Sequence, residues 1–281
     1  MTKRRFIQCD VFTAVPTKGN GLAVVLDADG LSDRAMQDFA TWTNLAETSF
    51  LLPPEDPAAD YRLRIFTPER ELPFAGHPTL GSCAAWLRGG GVPIEADLVR
   101  QECGVGLVEI DLKGPVPAFV APPTDARPLP EGRQAALLRA LQLLSERVVR
   151  SAWLNNGPDW QVLELESADD VLAVEPAGLS AAGLHDVGLI GPQPTGSETD
   201  YEVRLLAPPT SMSEDPITGS LNAAIAQWMA AEGRLAGPLT IRQGTRLGRE
   251  GRVHITPSTH DPGRILVGGE TQILIEGTLE L

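Results

Sequence analysis

Cysteine is scarce in this 281-residue chain: Cys9, Cys83 and Cys103 are its only three, odd in number and far apart. No C-x-x-C pair occurs, so neither a disulfide framework nor a zinc site is expected, and a reduced, cytoplasmic setting fits best. Long apolar runs are missing as well. None approaches the ~18 residues of a membrane span, so no membrane contact is expected. The opening Met1-Thr2-Lys3-Arg4-Arg5-Phe6 is basic but leads into no signal-peptide apolar run. Positive charge is in deficit, with 23 Lys and Arg against 37 Asp and Glu and a net charge of −14. Such a surface repels phosphate backbones, which argues against a nucleic-acid partner. Several catalytic signatures are absent too. Lys18-Gly19-Asn20-Gly21 is glycine-rich but runs into a strand, so it is neither a P-loop nor a dinucleotide fingerprint. There is no H-x-H, no H-E-x-x-H and no G-x-S-x-G, so no metal, no cofactor and no serine nucleophile are expected.

What remains is a chain of ordinary globular balance that repeats itself once. Hydrophobic residues make up 42% and charged residues 21%, which disfavours disorder. The length suits two cores of about 140 residues each. Arg64-Ile65-Phe66-Thr67-Pro68, then Gly81-Ser82 with Ala84, Ala85 and Trp86, is echoed later. The echo is Arg204-Leu205-Leu206-Ala207-Pro208, then Gly219-Ser220 with Ala223, Ala224 and Trp228. Gly30-Leu31-Ser32 and Gly178-Leu179-Ser180 extend it upstream. The offset is 140 residues at the arginines and 138 at the Gly-Ser pairs, as an ancestral duplication would give.

Local patterns follow the same rhythm. Strands are expected at 6–12, 23–26, 48–52, 61–66 and 107–112, and a helix over 34–42 with Ser32 as its N-cap. A second helix is expected over 80–87, stopped by Gly89-Gly90-Gly91. The later half should give strands at 161–165, 203–206, 239–242, 252–256, 265–267 and 273–276, and a helix over 221–231 closed by Gly233. The linker is expected near Ala121-Pro122-Pro123-Thr124, giving domains 1–122 and 123–281 with the last strand able to return to the first. Small residues crowd both Gly-Ser helices, which suits helices enclosed by strands as well as ordinary alanine-rich ones.

The chemistry-bearing residues precede these helices, in Phe74-Ala75-Gly76-His77-Pro78-Thr79-Leu80-Gly81-Ser82 and in Glu214-Asp215-Pro216-Ile217-Thr218-Gly219-Ser220. A helix N-terminus offers unpaired N–H groups and positive dipole charge, which favour an anion, and glycine allows close approach. Two such turns could clamp a small carboxylate.

Together with Asp10-Val11-Phe12-Thr13, Gly19-Asn20, Asn44-Leu45-Ala46-Glu47-Thr48, Phe66-Thr67-Pro68 and Gln243-Gly244-Thr245-Arg246-Leu247-Gly248-Arg249, these segments resemble the PhzF-like (phenazine biosynthesis PhzC/PhzF) isomerase family, nearly end to end and in the family's order. The resemblance implies an α+β, diaminopimelate-epimerase-like fold: two pseudo-symmetric domains, each a barrel or half-barrel of strands around a central helix, with the site in the cleft between them. It implies no cofactor and a possible homodimer. Glu47 corresponds to the family's proton-transferring glutamate. His77 and Asp215 match further catalytic positions, while Gly76, Thr79, Gly219 and Ser220 match substrate-binding ones. Leu221-Asn222 and Gly251 depart from the usual pattern, which leaves the substrate open and makes the Arg246–Arg252 loop the weakest carry-over.

These residue types suit an acid–base proton shift on a small carboxylate. A carboxylate in a partly dry pocket has its pKa raised and can both take and return a proton near neutral pH. Read without the resemblance, Glu47 has the commoner alternative of an exposed loop acid, His77 that of a capping or structural histidine in a turn, Asp215 that of an N-cap, and Ser220 that of bonding its own turn. His185, His254 and His260 carry no assignment. Racemases of this fold use two facing thiols, where this chain has Ala75 and Pro216, so isomerisation is favoured. An amino-acid or hydroxy-acid epimerase, or a non-catalytic small-molecule-binding protein, are the alternatives.

Overall fold

The computed structural model describes residues 2–207, 214–258, 261 and 263–281. Met1, Pro208 of the repeated motif and His260 lie outside the described residues. The chain divides into two compact units, Met1–Val120 with Gly268–Leu281, and Ala121–Val267. Both are of α+β class.

In the first unit, β1 (Lys3–Val11) pairs antiparallel with β2 (Asn20–Val25), and β2 runs parallel to β3 (Glu47–Leu52). The crossover between them carries α1 (Asp33–Thr43). β4 (Tyr61–Phe66) lies antiparallel to β3 and to the short β5 (Glu71–Leu72). α2 (Gly76–Arg88) then leads to β6 (Leu98–Cys103), parallel to β4, and β7 (Gly106–Asp111) and β8 (Ala118–Val120) continue antiparallel. The last strand of the chain, Thr271–Glu280, pairs with β1 along its length.

Simple patterns place these elements. In β4, Tyr61, Leu63 and Ile65 are buried while Arg62 and Arg64 are half-buried, the period-2 alternation of a strand with one core face. Ser32 caps α1 by accepting from the Ala35 N–H at 3.2 Å, and Asn44 ends it in the left-handed conformation. Met36 and Ala40 of α1 join Val25, Phe50 and Phe66 in one apolar cluster.

The expected start of α2 is corrected. The helix begins at Gly76, not Leu80, so His77 stands in its first turn rather than in a loop before it. Pro78 is compatible because a first-turn residue has no intrahelical use for an N–H and proline presets φ. Gly76 to Cys83 are all buried, and α2 touches β1, β2, β3, β6, β8 and the last strand. Small residues are what this enclosure requires: a Cβ on Gly81 would overlap the side chains of Leu22 and Val11.

The second unit repeats the scheme. After β9 (Asp125–Arg127) and α3 (Glu131–Leu141) come β10 (Val148–Asn155), β11 (Asp159–Leu165), β12 (Val187–Pro192), β13 (Tyr201–Leu206), β14 (Glu214–Asp215), β15 (Leu239–Gln243), β16 (Gly251–Pro257) and β17 (Ile265–Gly268). β10 to β16 pair in the order and senses of β1 to β7: antiparallel, parallel, antiparallel, antiparallel, parallel from β13 to β15, then antiparallel. Between β14 and β15 runs α6 (Gly219–Ala231), in the place α2 holds in the first unit and likewise buried over most of its length. The short helices α4 (Ala168–Ala173) and α5 (Ala177–Ala181) lie between β11 and β12. With α3 and the strands they enclose a core that includes Leu137, Leu141, Leu163, Leu179, Leu189 and Leu206.

Candidate active site

Glu47 is the first residue of β3, opposite Leu22 of β2, and its side chain is 16% exposed. His77, second in α2 and 4% exposed, brings its Nε2 to 3.3 Å from Glu47 Oε2. On its other side the ring meets Asn20, whose Nδ2 is 3.4 Å from Nδ1. Burial pushes the imidazole down to about 3, so the ring is neutral at pH 7. An ionised Glu47 at this distance opposes that push, but a ring so fully enclosed holds the direction set by desolvation. Of the residues expected to act, Glu47 and His77 are therefore brought together.

Gly76 and Thr79 flank them on α2. The Gly76 and His77 N–H groups stand in the first turn, where the helix itself supplies no acceptor. Thr79 is fully buried; its hydroxyl donates to the Ala75 carbonyl at 2.9 Å and accepts from Gln101 Nε2 at 3.2 Å. The hydroxyl thus fastens the opening of α2 to β6.

The second cluster lies at the start of α6. Asp215 pairs with Leu205 across β14 and β13 and is not the helix cap; Thr218 is. The Thr218 hydroxyl donates to Asp215 Oδ2 at 2.5 Å. Gln243 holds this turn through four bonds: its Oε1 accepts from Thr218 N at 3.0 Å and Asn222 Nδ2 at 2.8 Å, and its Nε2 donates to Thr218 Oγ1 at 3.1 Å and the Asp215 carbonyl at 3.3 Å. Gly219 and Ser220 form the first turn of α6, and Asn156 Nδ2 donates to the Ser220 carbonyl at 2.8 Å.

Burial pushes Cys9 and Cys83 up to about 12, so both are protonated and poor nucleophiles. The departure at Gly251 has a steric reason, since a Cβ there would overlap Ile217 and the Gln243 carbonyl. In the arginine-rich loop, Thr245–Leu247 is a single 3-10 turn between Gly244 and Gly248, both at positive φ, and Arg246 pairs with Glu175 at 2.6 Å. His185 is exposed beside Asp186, and His254 lies 3.2 Å from Thr240 Oγ1. Among the described residues there is no cluster of three His, Cys, Asp or Glu able to hold a metal, and no helix long and apolar enough to cross a membrane.

Sequence reasoning left Asn20, Gln101, Thr218 and Gln243 without roles. Asn20 follows Gly19 at the start of a strand, and Gln243 precedes Gly244 at the end of one. A polar amide at the end of an apolar strand, beside a glycine, was the available signal.

Comparison with known proteins agrees with this architecture. Residues 9–277 match the family model described as PhzC-PhzF, phenazine biosynthesis-like protein. The chain is 36% identical to antisense-enhancing sequence 1 of Schizosaccharomyces pombe, over 99% of each chain. It is 32% identical to trans-2,3-dihydro-3-hydroxyanthranilate isomerase of Pseudomonas fluorescens, over 87% of each. A solved PhzF-family protein from Bacillus anthracis superposes with a TM-score of 0.83, covering 100% of both chains at 21% identity, which speaks for the fold. The chain belongs to the PhzC/PhzF family of phenazine biosynthesis-like proteins.

Proposed function

We propose that this protein is a PhzF-like isomerase that moves a proton within a small carboxylate substrate without a cofactor, with Glu47 as the proton carrier. The observation that carries this reading is a largely enclosed carboxylate set 3.3 Å from an imidazole that burial keeps neutral. Of these two groups the glutamate is the stronger candidate base, because the ring resists taking a proton. Glu47 would remove a proton from an acidified C–H and return it to another carbon of the same substrate. The N–H groups opening α2, with Gly76 among them, suit a substrate carboxylate. Asp215, Gly219 and Ser220 are assigned to holding the substrate, and Thr79 to supporting that site. Protonated, buried thiols argue against a two-cysteine racemase. A homodimer in the cytoplasm belongs to the same proposal and rests on the family resemblance alone.

The first substrate to try is the one in a relative's name, trans-2,3-dihydro-3-hydroxyanthranilate. In deuterated water the product should gain label at the receiving carbon, and Glu47→Gln should lower that rate by roughly 100- to 10,000-fold. Full incorporation by Glu47→Gln would end the proposal. Inversion of a single centre would point instead to an epimerase, and tight binding without turnover to a binding protein.

A further inference from the structure

We infer that Asn20 is a positioning residue whose side-chain amide fixes the tautomer of His77 and thereby leaves Oε1 of Glu47 as the oxygen that carries the transferred proton. The second half of this statement rests on the function proposed above; the first does not.

The geometry starts at the β1–β2 hairpin. Asn20 is paired with Val11, and the residue before it is pinned, because Gly19 N donates to Asp10 Oδ2 at 2.9 Å and a Cβ at Gly19 would overlap the Val11 carbonyl. Asn20 is buried and presents Nδ2 to His77 Nδ1 at 3.4 Å. An amide NH2 can only donate, so Nδ1 must be the bare, accepting nitrogen of the ring. The single proton of the neutral imidazole is then on Nε2.

The opposite side of the ring requires the same answer. Nε2 lies 3.3 Å from Glu47 Oε2, a close electrostatic contact that is not aligned as a hydrogen bond. A bare Nε2 would set a lone pair against a carboxylate oxygen; a protonated one sets a donor against it. Two contacts on different sides of the ring thus agree on one tautomer. Nδ1 is then committed as an acceptor, and the ring resists a further proton in this enclosure.

The consequence falls on Glu47. When it takes a proton, Oε2 is the unfavourable place, because an O–H there would face the Nε2–H. The proton therefore resides on Oε1, and the histidine cannot draw it away. Asn20 acts through His77 and need not touch the substrate.

The test is nitrogen NMR of the full-length protein labelled at its four histidines, with His77 assigned by the signals lost in His77→Asn. At pH 7 the His77 pair should show a protonated Nε2 and a bare Nδ1. In Asn20→Asp a carboxylate replaces the donor, and Nδ1 should acquire a proton. In Asn20→Leu, which keeps the measurement available if the aspartate variant does not fold, the Nδ1 signal should move toward that of an unbonded lone pair. A wild-type proton on Nδ1, a bare Nδ1 retained in folded Asn20→Asp, or an Nδ1 signal unmoved in Asn20→Leu would each overturn the inference. Deuterium incorporation on the same samples separates the two claims. An expected tautomer in a protein that turns over no acid removes the proposed function and leaves the amide's effect on the ring standing. With turnover, Asn20→Asp should lose kcat by at least tenfold with a smaller change in KM.

Discussion

Arg204 and Glu214 meet inside the second unit through two parallel hydrogen bonds, Nε to Oε1 at 3.0 Å and Nη2 to Oε2 at 2.7 Å, with 1% and 5% of their side chains exposed. Nη1 of the same arginine donates to the Val171 and Val174 carbonyls at the end of α4. The first unit holds the counterpart: Arg64 and Glu71 form the same fork at 2.7 Å in both bonds, but with 20% and 42% exposure.

The two copies of this pair should differ in energy. Glu214→Gln or Arg204→Met leaves an uncompensated buried charge and should cost about 3–5 kcal/mol. The matching changes at Glu71 and Arg64 should cost about 1 kcal/mol or less, because water screens the pair. Urea unfolding of the four variants measures both, and equal losses would contradict the account.

His77 should shape the acid side of the stability curve. The folded ring titrates at about 3 against 6.5 for an ordinary histidine. Between those values the unfolded chain binds the extra proton, so stability present above pH 6.5 is lost as pH falls toward 3, by up to about 1.4 kcal/mol per pH unit. His77→Asn should flatten the slope of unfolding free energy between pH 7 and pH 5 by about one proton.

Gly251→Ser, toward the residue more usual at that position, should destabilise rather than improve this protein, by about 1–3 kcal/mol, since the new Cβ meets Ile217. Because Ile217 is itself buried, the check is a double-mutant cycle in thermal melts: Gly251→Ser should cost less in the Ile217→Ala background than in the wild type. An equal cost in both backgrounds would show that Ile217 is not the source of the strain.

Gln243→Leu should loosen the start of α6. It strips partners from Thr218 N, Asn222 Nδ2, Thr218 Oγ1 and the Asp215 carbonyl at once. Asn222 Nδ2 and the Thr218 hydroxyl keep one partner each, while the buried Thr218 N–H loses its own, and the change should cost at least about 2 kcal/mol. Hydrogen exchange should accelerate first at Thr218 to Asn222.

Much of this was legible in the chain because local rules and tertiary needs coincide. β4 matches its expected span, 61–66, since its alternation is the alternation of its environment. Ser32 caps α1 as its position suggests. The repeat in the sequence returned as a repeat of strand order. Other elements were hidden where packing overrides propensity. β12 contains Gly188 and Gly191, which strand propensity disfavours; a Cβ at Gly191 would overlap the Ser167 carbonyl and one at Gly188 would crowd Leu221. α3 escaped notice because Pro130 precedes it without a side-chain cap and only Leu137 and Leu141 are buried. β10 is interrupted in pattern by Arg150 and Ser151. At the candidate site, residue types pointed to Glu47 and His77 but not to the amides that brace them, because a buried Asn or Gln carries no charge pattern to betray it.

The strand that completes the first unit is made only after the whole of the second unit. Thr271–Glu280 pairs with β1 from Lys3 onward, so β1 lacks one neighbour until the ribosome has finished the second unit. The second unit, Ala121–Val267, is contiguous and can close during synthesis. The first must wait with an open sheet edge, which makes it the slower to complete and the more exposed to mispairing on the way.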